Sequence, residues 1–249
     1  MSETSPRVLV VVHEDHAGLG RLEPVLVERL GEILDERRPD KGDPLPADLS
    51  GHAGVVVLGG SMAAWEDEVA PWLPATRDLL AHAVDTGVPV LGICLGHQLL
   101  ALATGGRVDR GGAGLEVGLV DVGATDAAAT DALLGPVVRD LGASLTVPHW
   151  HTDAVLDLPP GAVRLVEGSR YANQAFRVGD AAWGLQYHPE VTGADFGDWL
   201  EHGHGSLLDA GHDPATIRAA LADHDADLHR LAVAHAAAFA DVVGSHVDR

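Results

Sequence analysis

Short, wholly apolar runs alternate with stretches of helical spacing along the first hundred residues. Val8 to Val12 is an unbroken apolar run stopped by His13-Glu14-Asp15, the pattern of a strand buried on both faces. Leu22, Leu26, Leu30, Ile33 and Leu34 then recur at helical spacing, and Arg37-Arg38-Pro39 predicts where that helix stops. A Pro/Gly/Asp loop follows from Asp40 to Ser50. Val55 to Leu58 reads as the next buried strand and runs into Gly59-Gly60-Ser61, a turn where backbone without side chains can approach a ligand. Helical spacing returns from Trp72 to Val84. Val88 to Ile93 is a third apolar strand, ending in Cys94-Leu95-Gly96, and His97 to Thr104 predicts a helix closed by Gly105-Gly106.

Residues 107–185 are glycine-rich, with predicted strands at Glu116 to Val122, Ser144 to Val147, Val163 to Glu167, Gln174 to Val178 and Ala182 to Gln186. Beyond Leu200 the chain turns alanine-rich and helical. Asp213-Pro214 supplies an N-cap followed by a first-turn proline, and Leu228, Leu231, Ala232, Phe239 and Val242 mark a last amphipathic helix with His235 as the polar exception. Alternating strands and helices imply an α/β fold, a doubly wound, mostly parallel sheet with helices on both faces. The expected organisation is one domain over residues 1–200 and a helical extension over 201–249 packed on it.

Composition narrows the function. Sixteen Lys and Arg against 37 Asp and Glu give a formal charge of -21, which repels phosphate backbones and anionic lipid head groups. Nucleic acid and membrane are therefore not expected partners. Lys41 is the one lysine and Gly42 follows it, which excludes a P-loop. The acidity has two explanations, a high-salt habitat or a genome rich in Ala, Gly, Asp and Arg codons; the Arg-for-Lys bias and 15 histidines favour the second. One cysteine, Cys94, excludes an internal disulfide and a multi-thiolate zinc site. The apolar run after the N-terminus is too short for a signal peptide or a membrane span, so the expected location is the cytoplasm.

The lone cysteine sits in chemistry-bearing company. Gly92-Ile93-Cys94-Leu95-Gly96 has the G-x-nucleophile-x-G form of an elbow that holds a reactive side chain above a sheet edge. At a helix N-terminus the thiolate is favoured by free N–H groups and the helix dipole. Without that context, a single buried cysteine is an ordinary small hydrophobe. A thiolate also needs a proton shuttle, and Tyr187-His188-Pro189-Glu190 offers His188 with a carboxylate two residues on, on the same side of an extended segment. Glu190 would then orient His188 while His188 faces the sulfur. The N–H of Leu95 and an N–H from Gly59-Gly60-Ser61 are natural donors to an oxyanion.

Gly59-Gly60-Ser61, Pro89 to Gln98 and His188-Pro189-Glu190 together resemble the class I (triad) glutamine amidotransferases, over about residues 7–195. Trp150-His151-Thr152-Asp153, Asn173-Gln174-Ala175-Phe176 and Gln186 to Glu190 are similar to the stand-alone group related to the glutaminase domain of GMP synthetase. The resemblance implies a flavodoxin-like fold and a reaction in which Cys94 attacks the side-chain amide of L-glutamine, forming a γ-glutamyl thioester and releasing ammonia. It implies His188 as proton shuttle, Glu190 as its holder, Gly60 and Leu95 as the oxyanion hole and Gln98 as a substrate contact. Gln98 alone would read as a surface helix residue. No cofactor and no metal are implied.

Three activities remain open on this basis. The chain is expected to release ammonia for an acceptor synthetase subunit, since no second catalytic domain is visible in it. The same triad could instead hydrolyse another γ-glutamyl compound, a peptide or conjugate, with only the leaving amine changed. A non-catalytic regulatory module fits least, because triad and glycine turns are all present. Gly111 to Gly118 and a loop over His149 to Asp153 are expected to wall the substrate pocket. His149-Trp150-His151 and His202-Gly203-His204 look like metal-ligand pairs but lack a third ligand at recognisable spacing, and are expected to be structural.

Overall fold

The computed structural model describes residues 7–31 and 33–247. One nine-stranded sheet runs in the order β2 (Leu34–Arg37), β1 (Arg7–Val11), β3 (His52–Val57), β4 (Val90–Ile93), β11 (Ala182–Leu185), β10 (Ala175–Val178), β9 (Val163–Glu167), β6 (Glu116–Ala124), β7 (Ser144–His151). The first five strands are mutually parallel. From β11 onward each pairing is antiparallel. A separate two-stranded sheet joins β5 (Arg107–Arg110) to β8 (Asp153–Asp157).

Alternation along the parallel strands sorts the core into two layers. Val8, Val10, Val56, Leu91 and Ile93 face one cluster, which also contains Leu22 and Leu26 of α1 (Leu22–Leu30) and Phe239 and Val243 of α8 (Asp225–Val247). Leu9, Val11, Val55, Val57 and Val90 face the other, with Leu79 and Leu80 of α2 (Leu73–Thr86) and Leu99 and Leu100 of α3 (Leu95–Ala103). Successive strand residues point to opposite faces, so a fully apolar strand needs helices on both sides. The doubly wound, flavodoxin-like α/β fold is the result. Gly54 brings α8 close to β3, where an added Cβ would lie 2.8 Å from Val243 Cγ2.

The structure corrects the first predicted helix. It ends at Leu30, with Gly31 at φ 85 as the stop, and Leu34 to Arg37 form the edge strand β2, pairing in parallel with Val8 to Val11. Backbone pairing beside β1 outweighs the helical spacing of Ile33 and Leu34. The region 107–185 also holds α4 (Leu134–Leu141), which the strand-like composition hid. Beyond β11 come α5 (Gly193–His202), α6 (His204–Asp209) and α7 (Pro214–Asp223), the last capped by the Asp213 carboxylate on Ala215 and Thr216 N–H. No helix of the described residues is long and apolar enough to cross a membrane.

Candidate active site

The carboxyl end of β4 delivers Cys94, and α3 starts at the next residue. Cys94 has φ 51 and ψ -100, a left-handed conformation that costs a non-glycine residue of order 1–3 kcal/mol and persists where the surroundings enforce it. The flanking glycines show how. A Cβ on Gly92 would lie 2.5 Å from the Gly96 carbonyl oxygen, and one on Gly96 would lie 2.1 Å from the Val57 carbonyl oxygen. The elbow therefore fits only if both positions lack side chains. Leu95 is the first residue of α3, so its N–H is among those with no partner inside the helix.

Strand β11 lies beside β4 and carries the second half of the site. Its chain bends after Leu185 and turns at Pro189-Glu190, where an extended segment was expected. The pair forms regardless: His188 Nδ1 is 2.7 Å from Glu190 Oε1. The turn is clamped from several sides. His188 N–H donates to the Pro148 carbonyl and Arg21 N–H donates to the Glu190 carbonyl. A Cβ on Gly20 would sit 2.3 Å from that same Glu190 oxygen. Trp199 of α5 stands edge-on to the His188 ring, with centroids 5.0 Å apart. Helix α5 is itself fixed just after the turn by a capping box between Thr192 and Asp195.

Protonation follows from this packing. Burial by itself would push the His188 imidazolium toward its neutral form, but the Glu190 carboxylate and the Cys94 side chain outweigh it and raise its pKa to about 10. With Nδ1 committed to Glu190, Nε2 is the nitrogen left for Cys94, and it has no other hydrogen-bond partner. A protonated His188 next to Cys94 is the form in which a thiol nucleophile is activated.

Two glutamines complete the surroundings of the sulfur. Gln186 Nε2 approaches Cys94 Sγ at 3.7 Å, and the Gln186 Oε1 accepts from Gln98 Nε2 at 3.2 Å. Gln98 also donates to the Asp153 carbonyl at 2.9 Å. Gln98 is thus buried beside the nucleophile, not a surface helix residue. Gln186 was legible only as part of a motif; nothing in its type or spacing announced a contact to sulfur. Gly59 and Gly60 lie opposite. A Cβ on Gly59 would be 3.3 Å from His188 Cε1, and one on Gly60 would be 2.9 Å from Leu95 Cδ2. Cys94, His188, Glu190, Gly60 and Gln98 all line one cleft of about 610 Å³, and Leu95 supports it from behind.

Farther from the sulfur the cleft is bounded by Glu14, Asp15 and His16 on one side and Trp150, Trp199, His202 and Ser206 on the other. Sequence patterning gave no sign that α5 and α6 would form this wall. His149 to Asp153, expected as a loop, is the end of β7 and the start of β8 with Thr152 between them. Arg110 and Leu115 reach the cleft from the glycine-rich segment.

His149 and His151 gain the third group that spacing did not reveal. In the β6–β7 register Glu116 is opposite His151, and its Oε2 lies 3.0 Å from His151 Nε2 and 3.5 Å from His149 Nδ1. All three side chains are buried. Burial, with the neighbouring His151 and His188, keeps His149 neutral far below the usual histidine range. His202 and His204 find no such company among the described residues.

The family model described as glutamine amidotransferase class-I matches residues 39–202. The chain belongs to this family. Among class I amidotransferase relatives it is 33% identical over 163 residues to γ-glutamyl peptidase 4 of Arabidopsis thaliana, covering 65% of this chain and 63% of the peptidase. It is 36% identical over 120 residues to the corresponding subunit of the glutamine-hydrolysing GMP synthase of Thermococcus kodakarensis, covering 48% of this chain and 60% of that relative. These matches span less than two thirds of either relative. The crystal structure of a glutamine amidotransferase from Thermotoga maritima superimposes with a TM-score of 0.82 at 30% identity, covering 96% of this chain and 99% of that one. The amidotransferase fold thus extends through the C-terminal helices, beyond the stretch that the family model matches.

Proposed function

We propose that the protein hydrolyses γ-glutamyl amide bonds through a Cys94 thioester. The observation that carries this is Cys94 held in a left-handed elbow with His188 and Glu190 in one cleft. Cys94 Sγ attacks the γ-carbonyl carbon, and the N–H groups of Leu95 and Gly60 hold the oxygen as it gains charge. The C–N bond breaks as His188 passes its Nε2 proton to the leaving nitrogen, and the amine departs. Water then attacks the thioester, His188 takes up its proton, and glutamate leaves as Cys94 is regenerated. Glu190 holds the imidazole through Nδ1 in both halves, and Gln98 with Gln186 positions the sulfur and the substrate.

The cleft favours a leaving amine larger than ammonia. At about 610 Å³ it falls among pockets that enclose drug-sized ligands, and the wall of Trp150, Trp199, His202 and Ser206 lies where a substituent on the leaving nitrogen would pass. Similarity to a γ-glutamyl peptidase agrees with a peptide or conjugate substrate. A second reading, ammonia release for an acceptor synthetase subunit, is supported by the similarity to the glutamine-hydrolysing GMP synthase. Purified protein assayed in parallel on glutamine, glutathione and a γ-glutamyl amine separates them. A large kcat/KM advantage for the conjugates with no partner present is expected. Preference for glutamine would support the synthetase-linked reading. Inertness toward all three, with no labelling of Cys94 by a glutamine-analogue electrophile, would refute both.

A further inference from the structure

Glu116, His149 and His151 form a compact, buried group that the thioester chemistry does not use. Their ligand atoms all lie within 4.8 Å of one another, and they come from paired strands whose register is fixed along eight residue pairs. His149 is fully buried and neither of its ring nitrogens has a hydrogen-bond partner, although Nδ1 is directed at Glu116 Oε2 from 3.5 Å. An imidazole stripped of water and left unpaired is costly unless something else takes its lone pair.

His151 presents the complementary problem. Its Nδ1 faces the Asp153 carbonyl oxygen at 3.0 Å and its Nε2 faces Glu116 Oε2 at 3.0 Å. A carbonyl can only accept, so Nδ1 carries the N–H. In a neutral ring, Nε2 then turns a lone pair toward a carboxylate oxygen. A cation between Nε2 and Oε2 removes that conflict and also gives His149 Nδ1 a partner. The supporting contacts match those of a metal ligand set: the outer nitrogen of His151 donates to a backbone carbonyl, and Gln174 Nε2 donates to the Glu116 oxygen at 2.8 Å.

We propose that Glu116 Oε2, His149 Nδ1 and His151 Nε2 bind a divalent transition-metal ion, with zinc as the ion this donor set suits best. Two imidazoles and a carboxylate are a recurrent zinc ligand set, with a fourth position left for water. The ion fixes the end of β7. Between the two histidines, Trp150 points the other way along the strand, lines the cleft and places its carbonyl oxygen 4.0 Å from Cys94 Sγ. The metal is therefore structural, holding the floor of the cleft and taking no part in bond breaking.

The test uses the full chain refolded or dialysed with Zn2+ and then freed of excess metal. One equivalent of zinc per chain is expected, together with a higher Tm than the chelator-treated protein. His149→Ala and Glu116→Gln should each lose the retained zinc, whereas Cys94→Ala and His202→Ala should keep it. X-ray absorption on the wild-type zinc protein gives an answer that does not depend on any variant folding. It should show only nitrogen and oxygen neighbours at about 2.0–2.2 Å. A sulfur neighbour at about 2.3 Å would place the metal on Cys94 and overturn the proposal. So would zinc retention unaffected by His149→Ala, or failure of the wild-type chain to retain zinc, which would leave a shared proton as the link between His151 and Glu116.

Discussion

Replacing Glu190 by Gln keeps the shape of the residue next to His188 and removes its charge. The amide oxygen can still accept from Nδ1, so the imidazole stays oriented, but the charge-assisted part of the 2.7 Å bond is gone. A hydrogen bond to a charged group contributes about 1.5–3 kcal/mol, and a pKa unit corresponds to about 1.36 kcal/mol. The imidazolium should therefore lose its proton about one to two pH units earlier. In the wild-type protein the raised pKa of about 10 keeps His188 protonated through neutral pH. The alkaline limb of kcat/KM, which reports the group that must donate to the leaving nitrogen, should accordingly lie near that value and move down in Glu190→Gln.

The assay is the release of amine from a γ-glutamyl substrate, followed across a pH series that brackets the wild-type limb. At neutral pH Glu190→Gln should be slowed less than His188→Ala, which loses a general acid–base group that is typically worth about 10²–10⁴-fold. An alkaline limb that does not move would refute the coupling between Glu190 and His188. A Glu190→Gln protein slower than His188→Ala would reverse the two roles.

Gly96→Ala should destabilise the fold by more than the roughly 1–3 kcal/mol of ordinary overpacking, because the new Cβ would meet the Val57 carbonyl at 2.1 Å; urea midpoints compare it with wild type. Acid should also unfold the protein. His13, His97 and His235 are buried, and that burial lowers their pKa values from 6.5 to about 4, about 3 and about 4. Below pH 6.5 the unfolded chain takes up protons that the folded one refuses, so stability falls as pH drops, by up to about 3–5 kcal/mol per group. A Tm independent of pH over that window would contradict it.

The legible parts of the molecule were those where one local rule decided the outcome. Strands β1, β3 and β4 are apolar on both faces, and only a two-sided α/β core accommodates such runs. The elbow was legible because its glycines are required by contacts within a single strand, turn and helix unit, together with one neighbouring strand. Tertiary pairing was not legible in the same way. Ile33 and Leu34 have helical spacing, and only the free edge of β1 makes them a strand. Glu116 stands 35 residues from His151, so no ligand spacing could expose the pair before the β6–β7 register was known. Trp199 and Gln186 gave no chemical signal, and they matter only because α5 folds back over His188 and because β11 lies beside β4.

His235 shows how the C-terminal helices enter the same site. It looked like a polar exception on an apolar face, yet it is fully buried, with Nε2 2.9 Å from the Tyr187 hydroxyl and Nδ1 2.8 Å from the Leu231 carbonyl. The carbonyl can only accept, so Nδ1 carries the proton and Nε2 accepts from Tyr187. Tyr187 immediately precedes His188, and α8 packs in the same core cluster as β1 and α1. Residues 201–249 should therefore fold together with the rest, and a chain truncated after Leu200 should not give a cooperative unfolding transition. Tyr187→Phe is the finer test. It leaves His235 Nε2 buried without a donor, which costs about 1–3 kcal/mol, and frees the residue beside His188. If α8 steadies the catalytic turn, kcat should fall while KM stays near its wild-type value. Lower stability with kcat unchanged would show that the contact supports the fold alone.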